Sequence, residues 1–100
     1  MAIHFGTFYR GVTVRLYVEC RNYLTNALAD PSTTQTVTLK DSEGASILTA
    51  QALTKDATGK YYHEYDTTAT SPCGRWVGYF TMTSGTTVSN VKFSFDLETL

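Results

Sequence analysis

The sequence predicts an all-β fold, a two-sheet antiparallel sandwich of about seven strands forming a single domain over residues 1–100. Three observations carry that expectation. Short apolar/polar alternations recur at roughly 8–12-residue spacing between turn signals, and no segment sustains a helical period. Threonine is abundant and, with Tyr, Val and Phe, makes a strand-favouring composition. The length of 100 residues, 42% of them hydrophobic, supports one core and not two.

The elements follow in order. "AIHFGTFY", residues 2–9, is a weak strand interrupted by Gly6. "GVTVRLYVEC" is the clearest: Val12, Val14, Leu16, Val18 and Cys20 share one face, and Thr13, Arg15, Tyr17 and Glu19 share the other. One face of that strand is dry and one is wet. "RNYLTNALADPS" is a long connection ending in an Asp30–Pro31 turn. "TTQTVTLK" and "ASILTAQAL" form a hairpin closed by "DSEG", where Gly44 supplies the positive φ that the turn needs. "TKDATG" is the next turn, leading into "KYYHEYD". The loop "TTATSPCG" leads to "RWVGYFTMT", and "SGTT" turns the chain into "VSNVKFSFDLE".

The densest aromatic stretch, residues 58–80, holds Tyr61, Tyr62, Tyr65, Trp76, Tyr79 and Phe80. Tyr61, His63 and Tyr65 alternate on one strand, and Trp76, Phe80 and Met82 share a face of the next. Aromatics at period two bury large areas and mark a core. Gly78 between them leaves room for a large neighbour, either Trp76 or an aromatic from the facing sheet. Tyr62 and Tyr79 fall on the other faces, as cross-strand pairing residues or as part of a contact surface.

No catalytic constellation emerges. Glu64 with Asp66, and Asp96 with Glu98, are carboxylate pairs on wet faces, where solvated charge fits better than acid/base work. The only histidines, His4 and His63, lie on different strands and lack the convergent ligands of a metal site. Calcium at a loop pole, near "DSEG" or "DATG", has no supporting ligand spacing. No cofactor motif is present. Cys20 and Cys73 belong at opposite poles of such a sandwich, too far apart for a disulfide, so two free thiols are expected, with Cys20 a small core residue.

A net charge of −1, without a Lys/Arg cluster, argues against nucleic acid as a partner. The N-terminal "MAIHFGTFYRG" lacks a basic segment followed by a long apolar one, so a signal peptide is not expected, and no run is long enough to span a membrane. The initiating Met suggests a whole gene product folded in a reducing cytoplasm.

The order "FYRGVTVRLYV", "VTLKDSEG", "TGKYYHEYDTT" and "GRWVGYF" resembles small bacterial immunoglobulin-like domains, including macroglobulin-type sandwiches. The matching residues are Gly11, Asp41 to Gly44, Thr58–Gly59 with Tyr61, and Gly74 with Trp76. That family usually has an acidic residue where this chain has Val12, and its second loop is longer. A free-standing copy is similar to the single-domain structural proteins of tailed phages. The resemblance implies a non-enzymatic virion protein, a capsid decoration, neck or tail component located in the virion. Its partners would be shell, neck or tail proteins, or copies of itself. The alternative is an adhesive or carbohydrate-binding module, with Tyr17, Tyr62 and Tyr79 stacking on sugar rings if they are coplanar. Candidate partner contacts are Tyr23, Leu24, Tyr62 and Tyr79. Tyr23, Leu24, Ala27 and Leu28 are apolar within a connection, and either close an open end of the core or insert into a partner. The low-charge "ASILTAQAL" is a further candidate for pairing with a neighbouring subunit.

Overall fold

The structure, a computed structural model, describes residues 2–21, 27–30, 33–84 and 87–99. In chain order its strands are β1 (Ala2–Tyr9), β2 (Thr13–Glu19), β3 (Thr34–Lys40), β4 (Ser46–Ala52), β5 (Thr54–Ala57), β6 (Lys60–Asp66), β7 (Gly74–Ser84) and β8 (Thr87–Glu98). They build a five-stranded sheet in the order β1-β8-β7-β3-β4 and a three-stranded sheet in the order β2-β6-β5. All pairings are antiparallel except β1 with β8. This is the immunoglobulin-like sandwich, with β4 added to one layer and the first strand carried on the β8 edge.

The expected strands are all present, and one expected turn is not. "TKDATG" contains β5, where Thr54 pairs with Tyr62 and Lys55 with Tyr61. The turn itself is only Thr58–Gly59. Every β5 residue is exposed, so the strand has no apolar alternation to announce it.

The core lies between the sheets. Val14, Leu16 and Val18 of β2 and Tyr61 of β6 face Val37, Leu39, Trp76, Phe80, Met82, Phe93, Phe95 and Leu97. Trp76 stacks on its cross-strand partner Phe95 with centroids 5.6 Å apart, and Phe80 meets Phe93 at 4.7 Å. Phe5 and Phe8 of β1 close the layer edge-on against Phe93 and Phe95. Burying each such ring contributes about 1.5–3 kcal/mol. Gly78 does make room for an aromatic, but not one from the facing sheet. Its neighbour is Phe93, directly opposite on the adjacent strand β8. A Cβ at position 78 would lie 2.6 Å from Phe93 Cζ and 2.2 Å from the Thr38 carbonyl oxygen.

Two polar corners fix the connections. Asp41 is buried and accepts the Glu43 and Ala45 N–H groups on Oδ1, both at 2.9 Å, closing the β3–β4 hairpin around Gly44. Thr67 is buried where β6 leaves its sheet. Its hydroxyl donates to the Val12 carbonyl at 2.6 Å and accepts the Gly11 N–H at 3.0 Å. The Trp76 indole N–H donates to the Pro72 carbonyl at 2.9 Å, anchoring the start of β7.

Gly78→Ala is expected to destabilise the fold toward the upper end of the ~1–3 kcal/mol typical of overpacking. Thr67→Val, which takes the partner from the Gly11 N–H while the Val12 carbonyl keeps the Thr67 N–H, should cost about 0.5–1.5 kcal/mol. Urea midpoints of the purified variants measure both, and midpoints equal to the parent's would refute this packing.

Candidate interaction surfaces

The outward faces of the two sheets differ in chemistry. On the three-stranded sheet, Arg15, Tyr17 and Glu19 of β2 lie beside Glu64, Tyr62 and Lys60 of β6. The Arg15 guanidinium sits 3.9 Å from the Tyr62 ring centroid, with Asp56 and Glu64 each 3.9 Å from its nitrogens. Glu19 accepts from Arg21 at 3.1 Å and from the Tyr17 hydroxyl at 3.2 Å. Those bonds hold the Glu19 carboxyl below the usual carboxylate range, Arg21 being the larger cause. This face is a lattice of compensated charge.

The outward face of the five-stranded sheet is mostly hydroxyl and apolar. Val77 and Tyr79 occupy its middle strand at 46% and 41% exposure. On β3 Lys40 pairs with Val77 and Thr38 with Tyr79, and on β8 Ser94 pairs with Val77 and Lys92 with Tyr79. Tyr9 and Val88 are exposed on the same face, toward its opposite ends. Among the described residues, four of the five large apolar side chains left exposed therefore lie on one sheet face. An ion-paired group stands at one end, where Arg75 Nε donates to Asp96 at 3.1 Å and His4 Nε2 lies 3.7 Å from the same carboxylate. The Arg75 hydrogen bond keeps Asp96 below its ordinary value. Asp96 is thus ion-paired, a detail that outward alternation of Asp96 and Glu98 does not reveal.

The structure separates the candidate contact residues. Tyr62 and Tyr17 are cross-strand partners on one outward face, while Tyr79 lies on the opposite side of the sandwich. The three tyrosines do not form a common platform. Tyr23 and Leu24 lie outside the described residues. His4 points outward beside Ser94, and half-buried His63 lies on the inner face opposite Leu16. Among the described residues no three His, Cys, Asp or Glu side chains converge, and no helix is long and apolar enough to cross a membrane. Both cysteines are free thiols, Cys73 exposed and Cys20 half-buried. Cys20 is less enclosed than the strand pattern implies because it stands past the end of β2. Burial, the larger cause, and nearby Asp30 push its thiol pKa up.

One polar cluster was not legible in the spacing. Asp30 joins the β2–β3 connection to the β5–β6 hairpin, accepting from Lys55 Nζ at 2.7 Å, the Gly59 N–H at 2.8 Å and the Tyr61 hydroxyl at 3.0 Å. Half-buried Leu28 and Ala29 cover Gly59 in the β5–β6 turn. The Lys55 bond, followed by the Gly59 N–H, lowers the Asp30 pKa to about 2. Burial first, then donation to Asp30, raises Tyr61 to about 12. The cluster is a brace with no room for a substrate.

The backbone is similar to that of the M1 domain from titin, with a TM-score of 0.51 and 11% sequence identity over 98% of this chain and 89% of that one. At that identity the likeness establishes the immunoglobulin-like fold alone. No protein-family model matches the chain, and no curated protein matches it.

The brace makes a pH prediction. A depressed Asp30 contributes fully above its ordinary pKa of 3.8, and its contribution fades as the pH falls toward about 2. Raised Tyr61 contributes fully below pH 10 and is lost as the pH climbs toward about 12. Urea midpoints should fall at both ends of the pH range, and Asp30→Asn should flatten the acid limb. An acid limb unchanged by Asp30→Asn would show that Asp30 does not brace the hairpin.

Proposed function

We propose that this protein is a non-enzymatic structural module that works by protein–protein contact through the outward face of its five-stranded sheet. The observation that carries the reading is the exposure of Val77 and Tyr79 on the middle strand of that sheet, among Thr36, Thr38 and Thr81, with Tyr9 and Val88 exposed toward its two ends. Exposed apolar side chains grouped on one face mark interaction surfaces, whereas scattered ones do not. Lys40 opposite Val77 and Lys92 opposite Tyr79 give this apolar centre a polar rim, the composition of an interface.

In its finer form the proposal is a virion component of a tailed phage or related virus: a decoration, neck or tail protein of the bacterial, macroglobulin-like type. Its partners would be shell, neck or tail proteins, or copies of itself. The support for that setting is the motif order Gly11, Asp41–Gly44, Thr58–Gly59 and Gly74–Trp76.

A second reading, a carbohydrate-binding module, draws on the Tyr17–Tyr62 pair. The Arg15 guanidinium already occupies one face of the Tyr62 ring, which weakens that pair as a stacking platform.

In pull-downs against purified shell, neck and tail proteins, Val77→Glu and Tyr79→Glu are expected to weaken binding about tenfold or more. Because both sites are exposed, stability should move by no more than about 0.5 kcal/mol. Retention unaffected by either change would remove this face from the account. Glycan-array binding abolished by Tyr17→Ala or Tyr62→Ala would instead favour the carbohydrate reading.

A further inference from the structure

The sandwich has four sheet edges, and three of them are interrupted. The β1 edge carries a bulge between His4 and Thr7 at Gly6, whose φ is +113°. The β4 edge shifts register on both sides of Leu39 and holds Ala50 at φ 47°. The β5 edge is only four residues long and also shifts. Bulges and short strands are the usual protection against unwanted pairing. The low-charge "ASILTAQAL" edge is therefore a poorer acceptor than its composition suggests. The β2 edge lacks these devices: Thr13–Glu19 runs in unbroken register against β6.

Register also shows which backbone groups β2 leaves unpaired. At its two ends Thr67 N–H donates to the Val12 carbonyl and Cys20 N–H to the Gly59 carbonyl. Antiparallel partners alternate between hydrogen-bonded and non-bonded pairs. The even residues from 12 to 20 therefore bond toward β6. The N–H and C=O groups of Thr13, Arg15, Tyr17 and Glu19 point the other way, out of the sheet.

Beside this row lies a groove of about 350 Å³ between the sheets, lined by Ile3, Phe5, Val18 and Val91, with Tyr17 at its wall. Glu19 and Arg21 at its rim neutralise each other at 3.1 Å. Outward from the groove, the same sheet displays the carboxylates Glu19, Asp56, Glu64 and Asp66 against the cations Arg15, Arg21 and Lys60. Beside the edge itself stand Arg15, Glu19 and Arg21; Asp56, Glu64 and Asp66 belong to β5 and β6, farther from it.

We propose that the β2 edge is a strand acceptor: it takes one extended segment of a partner polypeptide, with apolar side chains at alternate positions and polar ones between. A strand satisfies such a row of backbone donors and acceptors in register. Alternate side chains on one side of that strand fall into the groove over Ile3, Phe5 and Val91. Those on the other side extend the outward face beside Thr13, Arg15, Tyr17 and Glu19, where polar side chains stay hydrated. This surface is separate from the Val77–Tyr79 face, so either can fail without the other.

The test is an NMR titration of the full chain with an acetylated, amidated Lys-Val-Lys-Val-Lys-Val-Lys peptide. Saturable binding should slow hydrogen exchange at the Arg15, Tyr17 and Glu19 amides, whose exchange in the free protein is expected to be fast. The same peptide N-methylated throughout should bind at least about tenfold more weakly. Val91→Lys and Ile3→Lys, each placing charge in the groove, should do likewise while leaving the spectrum of the folded chain intact. The proposal is overturned if the three amides are already protected without peptide, if the N-methylated peptide binds as well, or if millimolar peptide leaves them unchanged.

Discussion

At the middle of β7 the backbone passes so close to the Thr38 carbonyl and the Phe93 ring that position 78 has no space for a first side-chain carbon. The rest of the inner layer depends on this constraint. With Gly78 in place, Phe93 lies flat across β7 and reaches Phe80 and Phe5. One register step away, Trp76 stacks on Phe95 and carries the contact to Tyr65 in the other sheet. The two sheets are joined by aromatic rings rather than by a covalent bridge, and the free thiols of Cys20 and Cys73 stand outside that layer.

An inner layer so organised fixes what the outer faces can be. Alternation sends Val77 and Tyr79 outward because Trp76, Gly78 and Phe80 are committed inward. On the β2–β6 layer the same rule sends out Arg15, Tyr17, Tyr62 and Glu64. One face becomes a network of ion pairs and the other a field of threonine, valine and tyrosine with Lys40 and Lys92 beside its centre. Exposed ion pairs contribute little to stability and keep a face hydrated.

Much of the fold was legible because strands with one wet face write their burial into every second residue. β2 and β8 are the clearest cases, with Val14, Leu16 and Val18, and Phe93, Phe95 and Leu97, all buried as their spacing implies. β5 was missed because none of its four residues is buried, so its pairing left no pattern. Alternation suggests Trp76 or a facing-sheet aromatic as the neighbour of Gly78, whereas the structure gives Phe93 on the adjacent strand, because alternation fixes the face of a residue and not its register. Of the contact residues, Tyr79 stands where its parity put it. Tyr62 is outward too, but its ring is covered by Arg15, a contact between neighbouring strands that spacing alone does not encode. The Asp30 brace was invisible for the same reason: its partners lie 25 to 31 residues away.

The central claim is that protein contact is made by the Val77–Tyr79 face of the five-stranded sheet. It is tested most directly by photo-cross-linking from single positions, with benzoylphenylalanine in place of Tyr79 in one preparation and of Tyr62 in another. Each is irradiated with purified shell, neck and tail proteins. The account predicts a discrete adduct from position 79 and none from position 62. Adducts from position 62 alone, or from neither position, would contradict it.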